Sequence, residues 1–549
     1  MASGPALEAL ATRPIANPEE DAASRLVARP AMRKRSPWLV LAVVSAGLVM
    51  ILVDTTIVNI AVPSIISGLN ASLDEVLWAI NAYLLVYAVL LVPAGRLGDL
   101  YGQRNLFAIG LVLFTGSSVA CGLAQDSTQL IIARVFQGAG GGLLTPQALA
   151  LVTNAFAPER RGLALGLFGG LNALAAIAGP VLGGYVITAW SWRWIFGINV
   201  PLGIVALAGS FFVLPAARAG IRRGIDPIGI VLVGTGLLGV VYGLLDGERY
   251  TWGAISGPVG IPDVIGGGLI LLGAFVVWEL RHRGALLPLT LFRHRNYAVG
   301  NAIAALAAFS MLGLLLPVVL FCQVVLGLTP LGTAYALMPT FLALLFAAPI
   351  GGRLADAVGG KYVLLAGTAV SGVGFWLVLN AASVSASVHD LILPLAVVGL
   401  GSGLIMAPLF SMVMSGIPEG MVGAASGFVT ASRQVGQVLG VAVIGGLLQN
   451  QLATTMHDQA VIYSSQLPVA ARTPFVDVLS GAVRGGARQL GAAGAVGPND
   501  LMHRLAHDVL THAYIQAMAP TLAVGIVAMA LAAIGSLAMR NRAEEGDVC

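Results

Sequence analysis

The chain has 549 residues, of which 57% are hydrophobic and 10% charged, and its mean hydropathy is +0.89. So few charges cannot cover a soluble protein of this size, and apolar runs of ~20 residues recur along the whole length, so a soluble globular protein is excluded and helices in a bilayer are expected. The net charge of +4 comes from basic residues beside the apolar runs and implies no nucleic acid, and the three scattered cysteines outline neither a disulfide framework nor a metal site.

Residues 1–37 read as a disordered cytoplasmic tail rich in Ala, Pro and Arg, ending in Arg33-Lys34-Arg35. It is not a cleavable signal, because the apolar segment that follows is too long and has no small-residue cleavage site. Fourteen apolar runs follow, near 38–60, 76–97, 105–124, 129–152, 162–187, 194–214, 226–245, 261–280, 296–321, 333–352, 361–381, 390–413, 421–448 and 515–539. Each is close to the length a bilayer requires. The expected fold class is an all-α polytopic membrane protein.

Basic residues fall mainly on one side of these runs, among them Arg96, Arg104, Arg160, Arg161, Arg222, Arg293, Arg353 and Arg540. The positive-inside rule then puts both termini in the cytoplasm. The loop 449–514 is expected outside, with a short amphipathic helix near 501–512 and no core of its own. A tail of 541–549 closes the chain.

An internal repeat organises the spans. Gly95-Arg96-Leu97-Gly98-Asp99-Leu100-Tyr101-Gly102-Gln103-Arg104 recurs as Gly352-Arg353-Leu354-Ala355-Asp356-Ala357-Val358-Gly359-Gly360-Lys361, an offset of 257 (352 − 95). Gly162, Gly166, Gly179 and Gly184 recur as Gly423, Gly427, Gly440 and Gly445, an offset of 261 (423 − 162). Span two therefore matches span ten, and span five matches span thirteen. The expected organisation is an N-terminal six-helix bundle at 38–214, two linker spans at 215–295 and a C-terminal six-helix bundle at 296–540. Parallel repeats of this kind place a substrate site between the halves near the midplane.

Asp54 is the only acid in the first apolar run. An intramembrane carboxylate costs at least ~2.5–3.5 kcal/mol on insertion scales and marks a functional site by default. At 1.5 Å per residue it lies ~24 Å along span one, and Arg134 lies ~8 Å into span four from the opposite side, so the two share a depth. The pairing supports two readings: a site that takes and releases a coupled proton, with Arg134 as counter-charge, or a permanent ion pair joining two spans. Gln137 is one turn from Arg134. Arg433, with Gln437, makes a polar stripe at mid-depth in span thirteen; it binds an anionic group or carries coupling, or bonds backbone carbonyls. Asn59, Asn81, Tyr87, Asn172 and Gln323 are the remaining cavity candidates. Gly95, Arg96, Asp99, Gly102, Arg104 and Asp356 sit at the cytoplasmic ends and suit a conformational latch, with Asp99 as a helix cap. Gly179, Pro180, Gly183 and Gly184 make a kinked close-packing face. No metal site is expected; His503, His507 and His512 stand near helical spacing without an acid or Cys to complete one.

Five motifs in order carry a family resemblance. LVDTTIVNIAVP at Leu52–Pro63, the Gly95–Arg104 loop, Arg134-Val135-Phe136-Gln137-Gly138-Ala139-Gly140-Gly141, Gly179-Pro180-Val181-Leu182-Gly183-Gly184, and Trp192-Arg193-Trp194-Ile195-Phe196 with Asn199 and Pro201 resemble the fourteen-span drug:proton antiporter group of the major facilitator superfamily. The resemblance spans residues ~38 to 540. It implies a two-bundle fold with two extra central helices, and a functional monomer in the bacterial inner membrane. The implied cargo is a small lipophilic drug or antibiotic, cations included, exported against inward proton flow with no cofactor. A lipid or metabolite exporter on the same scaffold is the alternative.

Overall fold

The computed structural model describes residues 36–156, 158–215, 226–247, 250–281, 289–415, 417, 422–485 and 500–540. The tails expected at 1–37 and 541–549 lie almost wholly outside the described residues. The described residues are helical, with one two-stranded hairpin. In order the helices are α1 Pro37–Leu69, α2 Leu73–Tyr101, α3 Gln103–Leu123, α4 Ser127–Ala155, α5 Pro158–Ala189, the single turn α6 Trp194–Gly197, α7 Asn199–Val213, α8 Pro227–Asp246, α9 Ile261–Arg281, α10 Arg295–Leu320, α11 Pro330–Val358, α12 Gly360–Ala381, α13 Val388–Met414, α14 Val422–Ser464, α15 Val469–Gly485 and α16 Asp500–Leu537. The strands β1 (Ala254–Ser256) and β2 (Val259–Gly260) pair antiparallel between α8 and α9.

Twelve segments among the described residues are long and apolar enough to cross a membrane. The helices α4 and α5, of 29 and 32 residues, fall outside that set. The reason in α4 is its cargo of Arg134, Gln129, Gln137, Gln147 and four glycines, which lowers hydropathy without shortening the helix.

Local chemistry sets the boundaries. Ser72 and Glu75 form a reciprocal capping box at the start of α2. Asp126 caps α4 by accepting from the Gln129 N–H at 2.8 Å. Asn70, at φ 50°, ends α1. Gly102 (φ 92°, ψ 129°) joins α2 to α3, and Gly359 (φ 96°, ψ 136°) joins α11 to α12. That backbone region is essentially closed to residues with a Cβ. The two glycines are 257 apart (359 − 102), so the sequence repeat is also a repeat of backbone geometry.

Packing follows the same repeat. In the first half α1 packs on α5, α7 and α4, α2 on α4, and α3 on α4 and α7. In the second half α10 packs on α14, α16 and α13, α11 on α13, and α12 on α13 and α16. The seams between halves correspond as well. Gly184 of α5 lies against Leu331 and Ala334 of α11, and Gly445 of α14 lies against Leu77 of α2. The pair α8–α9 sits on one seam only: α8 touches both α2 and α14. There Trp78 Nε1 donates to Asp246 Oδ2 at 2.6 Å, and Gly446 backs onto the Leu244 carbonyl.

The segment 449–514 differs from the expected coreless loop. α14 continues through it to Ser464, α15 folds back on α14, and α16 begins at Asp500. Met456, Ala460, Leu467, Phe475, Leu479, Leu505 and Val509 are buried there. The Ala-rich composition that reads as loop is equally good helix former, and these apolar residues give it a packed interior.

Candidate functional site: a buried carboxylate held by four helices

Asp54 points into the first half of the molecule and is fully buried, as are Arg134, Gln137, Ser118 and Asn199, each at 1% exposure or less. Arg134 Nη1 donates to Asp54 Oδ2 at 2.5 Å. Gln137 Nε2 donates to Asp54 Oδ1 at 2.8 Å, and Asn199 Nδ2 donates to the same oxygen at 3.0 Å. All three are N–H donors, so the arrangement satisfies an ionised carboxylate on both oxygens.

Each donor is itself fixed. Arg134 Nε donates to the Ala79 carbonyl of α2 at 3.2 Å, and its Nη1 also reaches Gln137 Oε1 at 2.8 Å. The guanidinium lies 4.0 Å from the centroid of the Tyr83 ring, a cation–π contact in a desolvated setting. Gln137 and Asn199 both donate to Ser118 Oγ of α3, at 2.7 and 3.2 Å. Cys121 Sγ donates to Gln137 Oε1 at 3.5 Å. Asp54 on α1 is thus tied to α4 and α7, and through their donors to α2 and α3.

The glycines of α4 and α5 make this closeness possible. A Cβ on Gly138, one turn from Arg134, would meet the Tyr83 carbonyl. A Cβ on Gly179 would meet Thr56 and the Val53 carbonyl, and one on Gly183 would meet Ile57. The face made by Gly179, Gly183 and Gly184 therefore packs α5 on α1 within three residues of Asp54, and on α11 at its far end. Pro180 is buried in the same turn.

The other expected residues sort into groups. Tyr87 stacks on Tyr83 with centroids 6.0 Å apart and planes 6° apart, and its hydroxyl is 2.9 Å from Thr145 Oγ1. Arg433 of α14 lies within electrostatic reach of Tyr87, so the second half's cation faces the first half's tyrosine pair. Among the described residues Arg433 has no hydrogen-bond or acid partner. Gln437 is on the same helix with a buried Oε1 that has no partner. Gln323 Nε2 donates to the Ile60 carbonyl at 3.0 Å, joining α1 to the π-helical turn Phe321–Val325 that ends α10. Asn59 and Asn81 donate to carbonyls in their own helices at 3.0 and 3.2 Å. None of these five carboxamides and cations touches Asp54. The side chain of Asn172 lies outside the described residues.

At the glycine turn, Arg104 Nη2 donates to the Phe211 carbonyl at 2.9 Å, at the C-terminal end of α7, and lies 5.5 Å from the Phe211 ring. It caps a helix end where the dipole favours a cation. Asp356 is exposed. The side chains of Arg96 and Asp99 lie outside the described residues. No group of three His, Cys, Asp or Glu suited to a metal occurs among the described residues; His512 instead meets Tyr463 and the Asp508 carbonyl.

Two residues of the site were not singled out by sequence reasoning. Asn199 entered as part of the Trp192–Pro201 pattern and as one of several polar residues near the spans, not as a partner of Asp54, and Ser118 not at all. The depth arithmetic that matches Asp54 to Arg134 also places Ser118 ~22 Å along α3, which is the one signal that could have found it.

The comparisons with known proteins come to the same place. The family model described as Major Facilitator Superfamily matches residues 44–441. The chain belongs to the Major Facilitator Superfamily. It is 34% identical over 79% of its length, and 77% of the relative's, to a probable actinorhodin transporter of Streptomyces coelicolor. It is 31% identical over 77% of its length, and 78% of the relative's, to the tetracenomycin C resistance and export protein of Streptomyces glaucescens. The inward-facing crystal structure of a bacterial homologue of the human lysosomal transporter Spinster aligns with a TM-score of 0.60 at 13% identity, over 92% of this chain and 97% of that one. The fold is thus that of a multi-pass superfamily transporter.

Proposed function

We propose that the chain is a proton-coupled exporter of lipophilic drugs or antibiotics in the bacterial inner membrane. The observation that carries this is a fully buried carboxylate, Asp54, whose one counter-charge among the described residues is Arg134 in the interior of a transporter fold. The named activities of relatives, actinorhodin transport and tetracenomycin C resistance and export, supply the substrate class. All fourteen long helices cross the membrane in this reading. The N-terminal six lie at 38–214, the linker pair within 215–295 and the C-terminal six at 296–540. The Gly102 turn and both termini face the cytoplasm.

Asp54 binds a proton in the outward-facing state and gives it up in the inward-facing one, where a bound drug takes its place in the cycle. The cavity between the halves is lined by Tyr87, Arg433 and Gln437, with Asn59, Asn81, Asn172 and Gln323 around it. The tight contacts across the seams, Gly184 with Leu331, Gly445 with Leu77 and Trp78 with Asp246, lie at the end where α1 finishes. That supports an inward-facing state closed on the outside. Arg96, Asp99, Arg104 and Asp356 latch the opposite end when it closes. A single chain is the transporting unit.

Drug-triggered proton release from proteoliposomes tests this. The native protein releases protons when a lipophilic antibiotic is added under an imposed pH gradient, and Asp54→Asn does not. Equal release from the variant makes Asp54 a structural partner of Arg134. Silence of both across a broad panel moves a lipid or metabolite cargo ahead.

A further inference from the structure

The hydrogen bonds around Asp54 are complete for the ionised form and incomplete for the protonated one. A carboxylic acid has an O–H that needs an acceptor, and in a dry site that acceptor must be protein. Arg134 offers only donors. Gln137 Oε1 already accepts from Arg134 and from Cys121, and both Gln137 N–H groups are used, one on Asp54 and one on Ser118. Asn199 differs from Gln137 in one respect: its Oδ1 is buried and has no partner. Its orientation follows from the network, since the opposite one would set an oxygen against the carboxylate.

We propose that Asn199 is a positioning residue whose side-chain amide turns over when Asp54 takes its proton. This rests on the reading of Asp54 as the proton site. In the ionised state Asn199 Nδ2 donates to Asp54 Oδ1 and to Ser118 Oγ, at 3.0 and 3.2 Å. On protonation a new O–H bond forms at Asp54 Oδ1. A half-turn about the Cβ–Cγ bond of Asn199 brings its Oδ1 into the place of Nδ2. The carboxyl O–H then donates to Asn199 Oδ1, and the Ser118 hydroxyl, which carries its own hydrogen, donates to the same oxygen. Arg134 and Gln137 keep every bond they have except that to a charged partner. One amide moves, and its Nδ2 takes the unpartnered place that Oδ1 leaves.

The charged and titratable groups that face this site are Arg134 from α4, Tyr83 from α2 and Cys121 from α3; α7 brings only the amide of Asn199. The position of that amide matters. Asn199 is the first residue of α7, one residue after the one-turn helix α6; just before α6, Trp192 is buried and Arg193 Nη2 bonds the Ala124 carbonyl at 2.7 Å. The amide that reads the proton therefore stands near the start of this span, where α6 passes into α7 through Ile198 in helical conformation (φ −57°, ψ −33°).

Infrared difference spectroscopy between low and high pH, with asparagine labelled by ¹³C at the side-chain carbonyl, tests this in the purified full-length protein. The expected spectrum of the native protein contains the carboxyl band of protonated Asp54, which is lost in Asp54→Asn. It also contains a label-sensitive asparagine carbonyl band, lost in both Asp54→Asn and Asn199→Leu. Asn199→Ser, smaller and still polar, serves the same subtraction if the leucine variant does not fold. Drug-driven proton release falls about ten-fold in Asn199→Leu, because the hydrogen bond lost to the ionised carboxylate is worth more than the one lost to the neutral carboxyl and its removal holds the proton on. A carboxyl band with no labelled asparagine band, or a labelled band that survives in both Asn199 variants, overturns the switch. A native protein with no Asp54 carboxyl band at any pH overturns the proton-site reading instead, and the switch falls with it.

Discussion

The two halves share a packing frame and differ in what fills it. Gly138 of α4 backs onto the Tyr83 carbonyl of α2, and Gly399 of α13 backs onto the Thr340 carbonyl of α11. Gly140 backs onto Phe114, and Gly401 backs onto Ser371. These pairs keep the offsets 261 and 257 (399 − 138; 340 − 83), so Arg134 corresponds to Leu395, Gln137 to Val398 and Tyr83 to Thr340. Leu395 and Val398 are buried, and Leu395 with Thr340, Leu337 and Phe341 lines a small apolar pocket. The first half holds an ion pair where the second holds hydrocarbon. Identical backbone geometry is therefore compatible with both, and the ion pair is not what holds the frame together. A polar cluster that the fold does not need is expected to be there for chemistry.

The largest effects should come from exchanging these fillings. Arg134→Leu leaves the Asp54 carboxylate buried without its counter-charge, which costs about 3–5 kcal/mol. The apparent melting temperature in detergent should drop sharply, and Asp54→Asn added to Arg134→Leu should restore most of it. Leu395→Arg, the reverse exchange, puts a cation where the lining residues offer no acid, and should be at least as damaging. A native-like melting temperature for Arg134→Leu would show that the carboxylate is already uncharged or otherwise compensated.

Next come the glycines that let the helices meet. Gly138→Ala and Gly399→Ala each push a methyl into a facing carbonyl, and overpacking of this kind costs up to about 3 kcal/mol. Both should lower thermal stability to a similar degree. They should part on transport: Gly138 is one turn from Arg134, so its alanine variant displaces the ion pair, and drug-driven proton release should fall more than in Gly399→Ala. Equal losses of transport would mean that α4 and α13 contribute alike, and that the polar filling adds nothing.

Much of this was legible in the sequence, for physical reasons that also mark where reading stops. Apolar runs, the lone intramembrane acid and a fixed offset between glycine-rich motifs are local or periodic signals. Rise per residue then matches Asp54 to Arg134 in depth without a structure. Which side chains converge laterally is not periodic information. Ser118, Gln137 and Asn199 lie on three helices as far as 81 residues apart along the chain, and nothing local distinguishes Asn199 from Asn59, which only caps a carbonyl of its own helix. Hydropathy also leaves α4 out of the set of apolar helices, because Arg134 and its glutamines and glycines make it less apolar. In 449–514, alanine and glycine read as loop, yet tertiary packing of Phe475 and Leu505 selects helix.

The smallest expected effect is the cleanest check of the repeat itself. Gly102 and Gly359 differ by 4° in φ and 7° in ψ (96 − 92; 136 − 129), and both conformations are closed to alanine. Gly102→Ala and Gly359→Ala should each cost about 1 kcal/mol of backbone strain. Because that strain depends on φ and ψ and not on which side chains fill each half, the two shifts in apparent melting temperature should agree closely. Gly102 stands next to Arg104, whose bond to the Phe211 carbonyl at 2.9 Å ties α3 to the end of α7, whereas the second half has Lys361 in that place. A larger loss at Gly102 than at Gly359 would therefore measure what this arginine cap adds, and Arg104→Lys should remove the excess.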